Sequence, residues 1–447
     1  MRTDRPFLDK HTDYPAEVDQ LGQADGARAR IGDLEIRVPG GVPGDRLRVQ
    51  VRHIGQHARW GRLAAIEQPS PERVEAPCPV VLACGGCPWQ MASLALQRRT
   101  REAAIRLQLG DLADLAQWHL WPGQAHTTGY RTRALMMVRK VAGELTLGFF
   151  APGSHDMVPA PDCVVQHPGV TAALTGVLEV LRAQGMTAWS EHGRPGLLRA
   201  VLFRLDPDTN TGLLTLVVGR RARLEELAQD LLVVPEVAGV FCNVQALSGG
   251  AVLGPETEWL AGDKRQSLRW GDLTLRVGPT AFVQTRHDMA ETLLSCVAGL
   301  LPARMGHLCD LYAGIGMFGL ALAKRCEAVT LVERDAAAVV DAQRNAGPNV
   351  TVVEADAAEF VKNISNMTPL VDAVVLDPPR SGCAQGVLEG LLALPGQPVV
   401  VYVSCGPQSL ARDLKVLTAG GFRITDVTLL DMFVHTPHVE VVVRLSR

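Results

Sequence analysis

Short runs of alternating apolar and polar residues near the start of the chain predict β-strands. The runs LEIRV, RLRVQVRHI and ARWGRLAAI are separated by glycine and proline at PGGVPGD, where the chain can turn tightly. Residues 25–68 are therefore expected to form a small β-barrel. The segment QPSPERVEAPCP follows, and its proline content is typical of a connector.

The next part of the chain mixes helical and strand-like patterns. Apolar residues recur at helical spacing from Leu94 to about Gln117, with basic residues on the opposite face, which predicts an amphipathic helix. Strand-like runs such as RALMMVRK and GLLTLVVG then alternate with helices predicted at 170–185 and 223–231. We expect an α+β middle domain formed by residues 69–93 and 125–280.

From residue 281 the pattern changes to apolar strands that alternate with helices. The order strand, glycine-rich loop, helix, strand predicts a parallel, doubly wound α/β sheet of the Rossmann-like kind. We assign residues 94–124 and 281–447 to this domain. The chain is therefore expected to be multidomain, with a small N-terminal β-barrel, a central α+β domain and a C-terminal α/β domain.

The composition changes this picture little. Of 447 residues, 47% are hydrophobic and 20% charged, as in ordinary globular proteins, and no apolar run is long enough to span a bilayer. With a polar N-terminus, these features predict a cytoplasmic protein without a membrane partner. The net charge is −3, but residues 26–66 carry eight arginines against three acidic residues. This basic segment either binds the phosphate backbone of a nucleic acid or forms a solvated surface.

The loops after the first strands of the α/β domain indicate a nucleotide-like ligand, because ligands of open α/β sheets bind beyond the carboxyl ends of the strands. The first strand leads into Gly314-Ile-Gly316-Met-Phe-Gly319, whose glycines allow close backbone approach. The next two strands end at Glu333, placed to accept hydrogen bonds from a ribose, and near Asp356, placed to read an adenine amino group. This spacing fits S-adenosylmethionine and NAD equally well.

The fourth strand ends in Asp377-Pro378-Pro379-Arg380, which favours S-adenosylmethionine. A D-P-P turn is common in methyltransferases that act on planar nitrogenous targets, because its carboxylate and backbone carbonyl can face the edge of an inserted base. A nicotinamide-dependent oxidoreductase has no need of this turn, and it remains the alternative.

Cys405 follows the fifth strand and reaches the same edge of the predicted sheet. A thiolate that adds to carbon 6 of a pyrimidine makes carbon 5 able to attack a sulfonium methyl group, and a base must then remove the proton of carbon 5. We expect Cys405 to be this nucleophile rather than a core thiol. Glu440 opens the apolar strand VEVVVRL, where burial would raise its pKa. It is the candidate base, unless it lies exposed on an edge strand.

The ten cysteines suggest ligands, nucleophiles or core residues rather than disulfides in a reducing compartment. Cys78, Cys84 and Cys87 form a compact, glycine-flanked group, and Cys163, in a proline-bracketed loop, is the best fourth ligand. Four thiolates could hold zinc or an iron–sulfur cluster, and spacing alone does not choose between them.

Together these motifs resemble the RNA uracil-5-methyltransferase family, which includes bacterial 23S rRNA enzymes and the tRNA enzyme that makes ribothymidine. The matching segments cover nearly the whole chain and are PTAFVQ (279–284), DLYAGIG, LVERD, LDPPRSG, YVSCGPQSLARDL and HTPHVE. The resemblance implies that Cys405 is the nucleophile and Glu440 the general base. It also implies a cofactor and base pocket, near which Phe282 stacks, lined by Gln284, Tyr312, Glu333, Asp356 and Asp377.

The resemblance extends to the accessory parts of the chain. Residues 25–68 resemble a TRAM domain, an RNA-binding barrel of the OB-like kind, and the cysteine pattern with the following PWQ resembles the one that carries a [4Fe-4S] cluster in larger family members. Because both accompany the catalytic domain, the implied partner is structured RNA, with 23S rRNA preferred over tRNA. We expect a monomer. A non-catalytic RNA-binding protein or iron–sulfur sensor is a further alternative.

Four positions depart from the family pattern. Arg286, Gly406 and Met317 stand where the family commonly has asparagine, and Val434 replaces a frequent proline. These departures affect local contacts and leave the predicted catalytic pair unchanged.

A further cysteine bears on the choice of pyrimidine. RNA cytosine-5 methyltransferases place a second cysteine directly after the proline of their fourth-strand motif. Here Arg380 follows Pro379, and Cys383 comes later. This difference favours uracil over cytosine as the target.

Overall fold

The computed structural model describes residues 8–22, 26–56, 58–190, 196–247, 251–362, 364 and 370–447. The chain forms two compact units. The first runs to Ala104 and includes Phe149–Ala160 and Phe433–His438, and the second comprises Ile105–Gly148, Pro161–Met432 and Val439–Arg447. No helix within the described ranges is long and apolar enough to cross a membrane.

The first unit contains a closed barrel with neighbour order β1-β2-β3-β5-β4. Its strands are β1 (Asp13–Gln20), β2 (Ala27–Ile31), β3 (Leu34–Val38), β4 (Arg46–Ile54) and β5 (Arg59–Gln68). Apolar side chains alternate inward, as in Ile36 and Val38, while arginines such as Arg28 and Arg48 lie on the outside. The barrel begins at Asp13 rather than at residue 25, because β1 (DYPAEVDQ) buries only two small apolar residues and so carries little apolar signal.

The segment after the barrel contains two helices, α1 (Val81–Cys84) and α2 (Leu94–Leu109). Helix α2 was predicted to reach about Gln117, but it stops earlier because Gly110 takes a left-handed conformation with φ 56°, which ends a helix. A 3-10 helix (Gly110–Leu115) and the short strand β6 (Gln117–Leu120) follow.

A seven-stranded sheet has the order β13-β12-β11-β10-β7-β8-β9, and all of it except β9 and the end of β8 belongs to the second unit. Two helices accompany it, α3 (Pro168–Ala183) and α4 (Glu225–Leu231), close to the two predicted positions. Strand β10 is buried along its whole length. The strands are β7 (Arg133–Val141), β8 (Glu144–Phe150), β9 (Met157–Pro159), β10 (Leu198–Asp206), β11 (Thr211–Val218), β12 (Val237–Val244) and β13 (Glu256–Gly262).

A separate hairpin, β14 (Gln266–Trp270) and β15 (Leu273–Val277), precedes helix α5 (His287–Gly299). Its apolar side chains pack in one cluster with Ala290 of α5 and with Ile315 and Met317. This hairpin therefore packs against the C-terminal part of the chain, although residues up to 280 were predicted to belong to the middle domain.

The C-terminal part of the chain and β6 form an eight-stranded sheet with the order β18-β17-β16-β19-β20-β22-β21-β6. Its remaining strands are β16 (Met305–Leu311), β17 (Cys326–Glu333), β18 (Val350–Glu354), β19 (Ala373–Leu376), β20 (Val399–Ser404), β21 (Arg423–Leu430) and β22 (Glu440–Ser446). The connecting helices are α6 (Met317–Leu322), α7 (Ala336–Asn345), α8 (Ala357–Val361), α9 (Gln385–Ala393) and α10 (Pro407–Ala419).

The predicted parallel sheet is present, but the sheet as a whole is mixed. Strands β16 to β20 are parallel, but β22 runs antiparallel to both β20 and β21. Residues 431–439 connect β21 to β22 without a helix. Because a parallel return needs a longer crossover connection, β22 turns back and inserts between β20 and β21.

Candidate active site

Cys405 directly follows β20, and Glu440 is the first residue of the neighbouring strand β22. The antiparallel ladder of the two strands extends to the pair Ser404–Val441, so Cys405 and Glu440 are the next residues beyond that pair, and the charge of Glu440 acts on the Cys405 thiol. The Cys405 side chain is partly exposed, whereas Glu440 is only 3% exposed. Since β22 has a strand on each side, Glu440 does not lie on an edge strand.

Asp377 and Arg380 complete this cluster of charged groups. Asp377 follows β19, the parallel neighbour of β20, and its charge acts on both Cys405 and Glu440. The charge of Arg380 acts on both the Cys405 thiol and Glu440. The structure therefore brings the predicted Cys405, Glu440 and Asp377 together, and it adds Arg380.

Burial dominates the electrostatics of the cluster. It raises the pKa of the Cys405 thiol, Glu440 raises that pKa further, and Arg380 lowers it. Burial also raises the pKa of Glu440 well above its usual value, with Asp377 raising it and Arg380 lowering it. The pKa of Asp377 is raised by burial as well. The site thus resists the build-up of negative charge, and the Arg380 guanidinium partly offsets this resistance.

The loop after β16 leaves room for a ligand. Tyr312 and Gly314 both adopt positive φ, 63° and 55°, and the Gly314 N–H donates to Glu333 Oε2 at 2.9 Å. A side-chain carbon on Gly314 would meet nothing within 4 Å, so space lies open in front of this backbone. A carbon on Gly319 would instead lie 2.3 Å from Leu331, so that glycine allows the loop to pack on β17.

The two predicted acidic residues follow β17 and β18 at the same edge of the sheet. Glu333 Oε1 accepts from the backbone N–H groups of Arg334 and Asp335, each at 2.8 Å, which orients the carboxylate. Asp356 is exposed, and its side chain caps α8 by accepting from the Ala358 N–H at 2.9 Å.

Asp310, which sequence reasoning did not select, lies beneath the glycine-rich loop. Its fully buried side chain accepts from the Gly319 N–H through Oδ2 at 2.8 Å, and Oδ1 has no hydrogen-bond partner among the described residues. The pKa of Asp310 is raised to about 7, mainly by burial; the Gly319 N–H lowers this pKa, whereas Asp377 and Glu333 contribute to raising it. An acidic residue near the end of an apolar strand, just before a glycine-rich loop, was the signal that could have identified it.

Gln284 and Phe282 lie on the loop of residues 278–286, which buried charges hold in place. Arg204 of β10 is buried and donates to three carbonyl oxygens of this loop. The Gly278 N–H donates to Asp341 Oδ2 at 2.6 Å. On this fixed loop Gln284 is partly buried, whereas Phe282 is 66% exposed.

Arg286, which stands where the family commonly has asparagine, fixes the end of this loop. Its buried guanidinium pairs with Asp288, the closest contact being 2.7 Å. It donates to the carbonyl oxygens of Asp431 and His126, each at 3.0 Å, and lies 4.1 Å from the ring centre of Tyr130. Because Asp431 follows β21, Arg286 links the loop to the strand that pairs with Glu440.

Cys383 is a core residue. It is 5% exposed and packs in the apolar cluster of the eight-stranded sheet, and burial raises the pKa of its thiol to about 12. A thiol that stays protonated at neutral pH is a poor nucleophile.

The predicted metal ligands are distributed over both units. Cys78, Cys84 and Cys87 lie in the first unit and Cys163 in the second; all four are partly exposed and none forms a disulfide. The Cys78 N–H donates to Gln90 Oε1 at 3.0 Å. Within the described ranges, no three His, Cys, Asp or Glu side chains are grouped so as to hold a metal ion. The structure therefore does not show the predicted iron–sulfur site.

Comparisons with known proteins identify similar chains. A sequence model of the tRNA (Uracil-5-)-methyltransferase family matches residues 265–447. A Gloeobacter violaceus protein described as an uncharacterized RNA methyltransferase is 34% identical over 430 residues, covering 94% of this chain and 93% of that protein. A Bacillus cereus protein with the same description is 30% identical over 456 residues, covering 99% and 98%.

A solved structure is also similar over nearly the full length. The crystal structure of Pyrococcus abyssi tRNA (uracil-54, C5)-methyltransferase in complex with S-adenosyl-L-homocysteine has a TM-score of 0.77 and 25% sequence identity, covering 96% of this chain and 99% of that one. The predicted resemblance is thus confirmed, and neither an oxidoreductase nor a non-catalytic protein fits these matches. The chain belongs to the RNA methyltransferase family of these relatives, its residues 265–447 match the tRNA (uracil-5-)-methyltransferase family, and it is an S-adenosylmethionine-dependent RNA methyltransferase.

Proposed function

We propose that this enzyme methylates carbon 5 of a specific uridine in structured RNA, with Cys405 as nucleophile and Glu440 as general base. The observation that carries the proposal is the β20–β22 pairing, which brings a partly exposed thiol close to a buried carboxyl group. Both groups lie where open α/β sheets bind their ligands. A uracil must leave its stack to reach them.

Cys405 begins the reaction by adding its thiolate to carbon 6 of the uracil. The new carbon–sulfur bond pushes electron density onto carbon 5, which then attacks the methyl carbon of S-adenosylmethionine. The sulfonium is displaced as S-adenosylhomocysteine. Arg380 supports this step because its guanidinium lowers the pKa of a thiol that burial otherwise raises.

Glu440 completes the reaction by removing the proton of carbon 5. The electron pair of that carbon–hydrogen bond restores the carbon 5–carbon 6 double bond and expels the Cys405 thiolate, which frees the methylated RNA. A carboxylate with a raised pKa binds this proton more strongly than an ordinary one. Burial and the nearby Asp377 raise the pKa of Glu440 in this way.

The glycine-rich loop fits S-adenosylmethionine, which supplies an electrophilic methyl group. Gly314 faces open space, and backbone N–H groups orient the Glu333 carboxylate. We assign ribose contacts to Glu333 and adenine contacts to Asp356. Gln284 and Tyr312 would line the same pocket from the neighbouring loops.

We propose 23S rRNA as the substrate, with tRNA as the second candidate. Exposed arginines on the barrel, such as Arg28 and Arg48, can bind a phosphate backbone. The resemblance of this barrel to a TRAM domain also supports RNA binding. The likeness to the Pyrococcus abyssi tRNA enzyme favours tRNA instead, because it extends over nearly the whole chain, barrel included.

The nucleophile assignment predicts a covalent complex with RNA that carries 5-fluorouridine at the target. Fluorine cannot leave as a proton does, so the Cys405–carbon 6 bond should persist and be visible by denaturing gel and peptide mass spectrometry. Cys405→Ala should form no complex and lose activity by at least about 10³-fold. Cys296→Ala, in helix α5, is the matched control and should retain both. Complex formation by Cys405→Ala would refute the assignment.

The base assignment predicts that Glu440→Gln traps methylated RNA on the protein and slows turnover by about 10²–10⁴-fold. In the native enzyme the raised pKa of Glu440 keeps the carboxyl protonated at acid pH. RNA release in single-turnover assays should therefore rise with pH over a range higher than that of an ordinary glutamate. Glu389→Gln, an exposed residue of α9, should behave as wild type. Normal turnover by Glu440→Gln, or a flat profile down to acid pH, would contradict the role.

The substrate proposal predicts loss of 5-methyluridine from one 23S rRNA position in a deletion strain, detected by mass spectrometry of rRNA and tRNA fragments. Purified enzyme should then methylate the matching rRNA transcript and leave tRNA transcripts unmodified. Loss of the modification from tRNA alone would establish the second candidate instead.

We propose that the four cysteines hold a [4Fe-4S] cluster, as the resemblance to larger family members implies, and this proposal can be tested independently of activity. Protein purified without oxygen should contain about four iron and four sulfide per chain and absorb visible light. Cys78→Ser and Cys84→Ser should lose the iron, and Cys296→Ser should keep it. Native protein with bound zinc, or with no metal, would show that the prediction is wrong.

A further inference from the structure

The loop after β19 is tied to the first turns of helix α10, which begins two residues after Cys405. Ser409 Oγ donates to the carbonyl oxygen of Arg380 at 2.8 Å. Arg412 Nη2 donates to the carbonyl oxygen of Ser381 at 3.0 Å. The segment that carries Asp377 and Arg380 is therefore fastened to the helix that follows the nucleophile.

Asp413 is the centre of these contacts. Its side chain is completely buried, and Oδ2 accepts from the Tyr402 hydroxyl at 2.7 Å and from the Cys383 N–H at 2.8 Å. Oδ1 accepts from Arg412 Nε at 2.8 Å. One carboxylate thus joins β20, the loop after β19 and helix α10. A buried carboxylate with three donors has little freedom to move.

Gly406 lets the two segments approach each other closely. A side-chain carbon at this position would lie 2.6 Å from the carbonyl oxygen of Arg380, and a backbone atom cannot give way as a flexible side chain can. This chain has glycine where the family commonly has asparagine. The missing side chain leaves room for the Arg380 segment beside Cys405.

We propose that Asp413 is a positioning residue that holds Arg380 against the Cys405 thiol before RNA binds. The inference rests on the proposed function, because it assigns Asp413 a task in preparing the proposed nucleophile. Asp413 itself does not act on Cys405 or on the reacting atoms directly. It acts through the loop, because the carbonyl group of Arg380 lies against Gly406, the residue after Cys405, and the Arg380 charge acts on the thiol.

The proposal predicts a change in thiol reactivity that loss of stability alone would not produce. Alkylation of Cys405 by iodoacetamide, followed by peptide mass spectrometry across a range of pH, reports the thiolate fraction of the free protein. In Asp413→Asn the profile should move to higher pH by about one unit, which lowers the neutral-pH rate about tenfold. The rate of adduct formation with 5-fluorouridine RNA should fall by about 10²-fold through misplacement.

A double-mutant cycle separates this task from a general structural role. Arg380→Gln should shift the alkylation profile as Asp413→Asn does, and the double variant should show no further shift. Additive shifts would mean that Asp413 does not act through Arg380, which would overturn the proposal. Asp372→Asn is the matched control, since Asp372 accepts backbone N–H groups of Gly306 and His307 at the opposite end of the same sheet. Its profile should equal that of wild type.

Gly406→Ala provides a second test that removes no buried charge. The added carbon should push the Arg380 segment away and move the alkylation profile in the same direction as Asp413→Asn does. If Asp413→Asn fails to fold, Gly406→Ala alone tests the proposal. Wild-type alkylation profiles in folded Asp413→Asn or in Gly406→Ala would overturn the proposal. Absence of any adduct with wild-type enzyme would refute the proposed function, while the alkylation profiles would still test the positioning.

Discussion

The antiparallel pairing of β22 with β20 is the interaction on which the site depends. Strand β22 is paired on both sides, so its first residue, Glu440, is shielded from water. On an edge strand this residue would be exposed. The same pairing brings Cys405, the residue after β20, close enough for the charge of Glu440 to act on its thiol. A slip of one residue would turn Glu440 to the other face of the sheet, and the thiol would lose this neighbour.

Buried charges hold the loops around this pair. An ionised side chain is costly to bury unless hydrogen bonds satisfy it, and each of these groups has several partners from distant parts of the chain. Arg204 binds three carbonyl oxygens of the loop that bears Gln284. Arg286 fixes the end of that loop, and Asp413 fixes the segment that bears Arg380. Main-chain segments far apart in sequence are thus held in one arrangement without a ligand.

The parts of the site that follow local rules were predictable from the sequence. Cys405 and Glu333 stand where strands end, and a sheet brings such ends to one edge. The burial of Glu440 depends on which strands flank β22, and alternation along one strand carries no information on strand order. Arg204 and Asp413 bind partners 74 and 30 residues away in sequence, so no local pattern marks them. Strand β1 was missed for a related reason, its few inward side chains being small.

The fixed loop has a consequence for Phe282. Its ring is 66% exposed, and the loop beneath it cannot fold inward to cover the ring, because Arg204, Asp341 and Arg286 already hold the backbone. Covering exposed apolar surface is favourable by about 25 cal/mol per Å². A flat partner that stacks on this ring is therefore bound with this favourable free energy, and the loop loses little conformational entropy when the partner binds. The enzyme has already lost that entropy during folding.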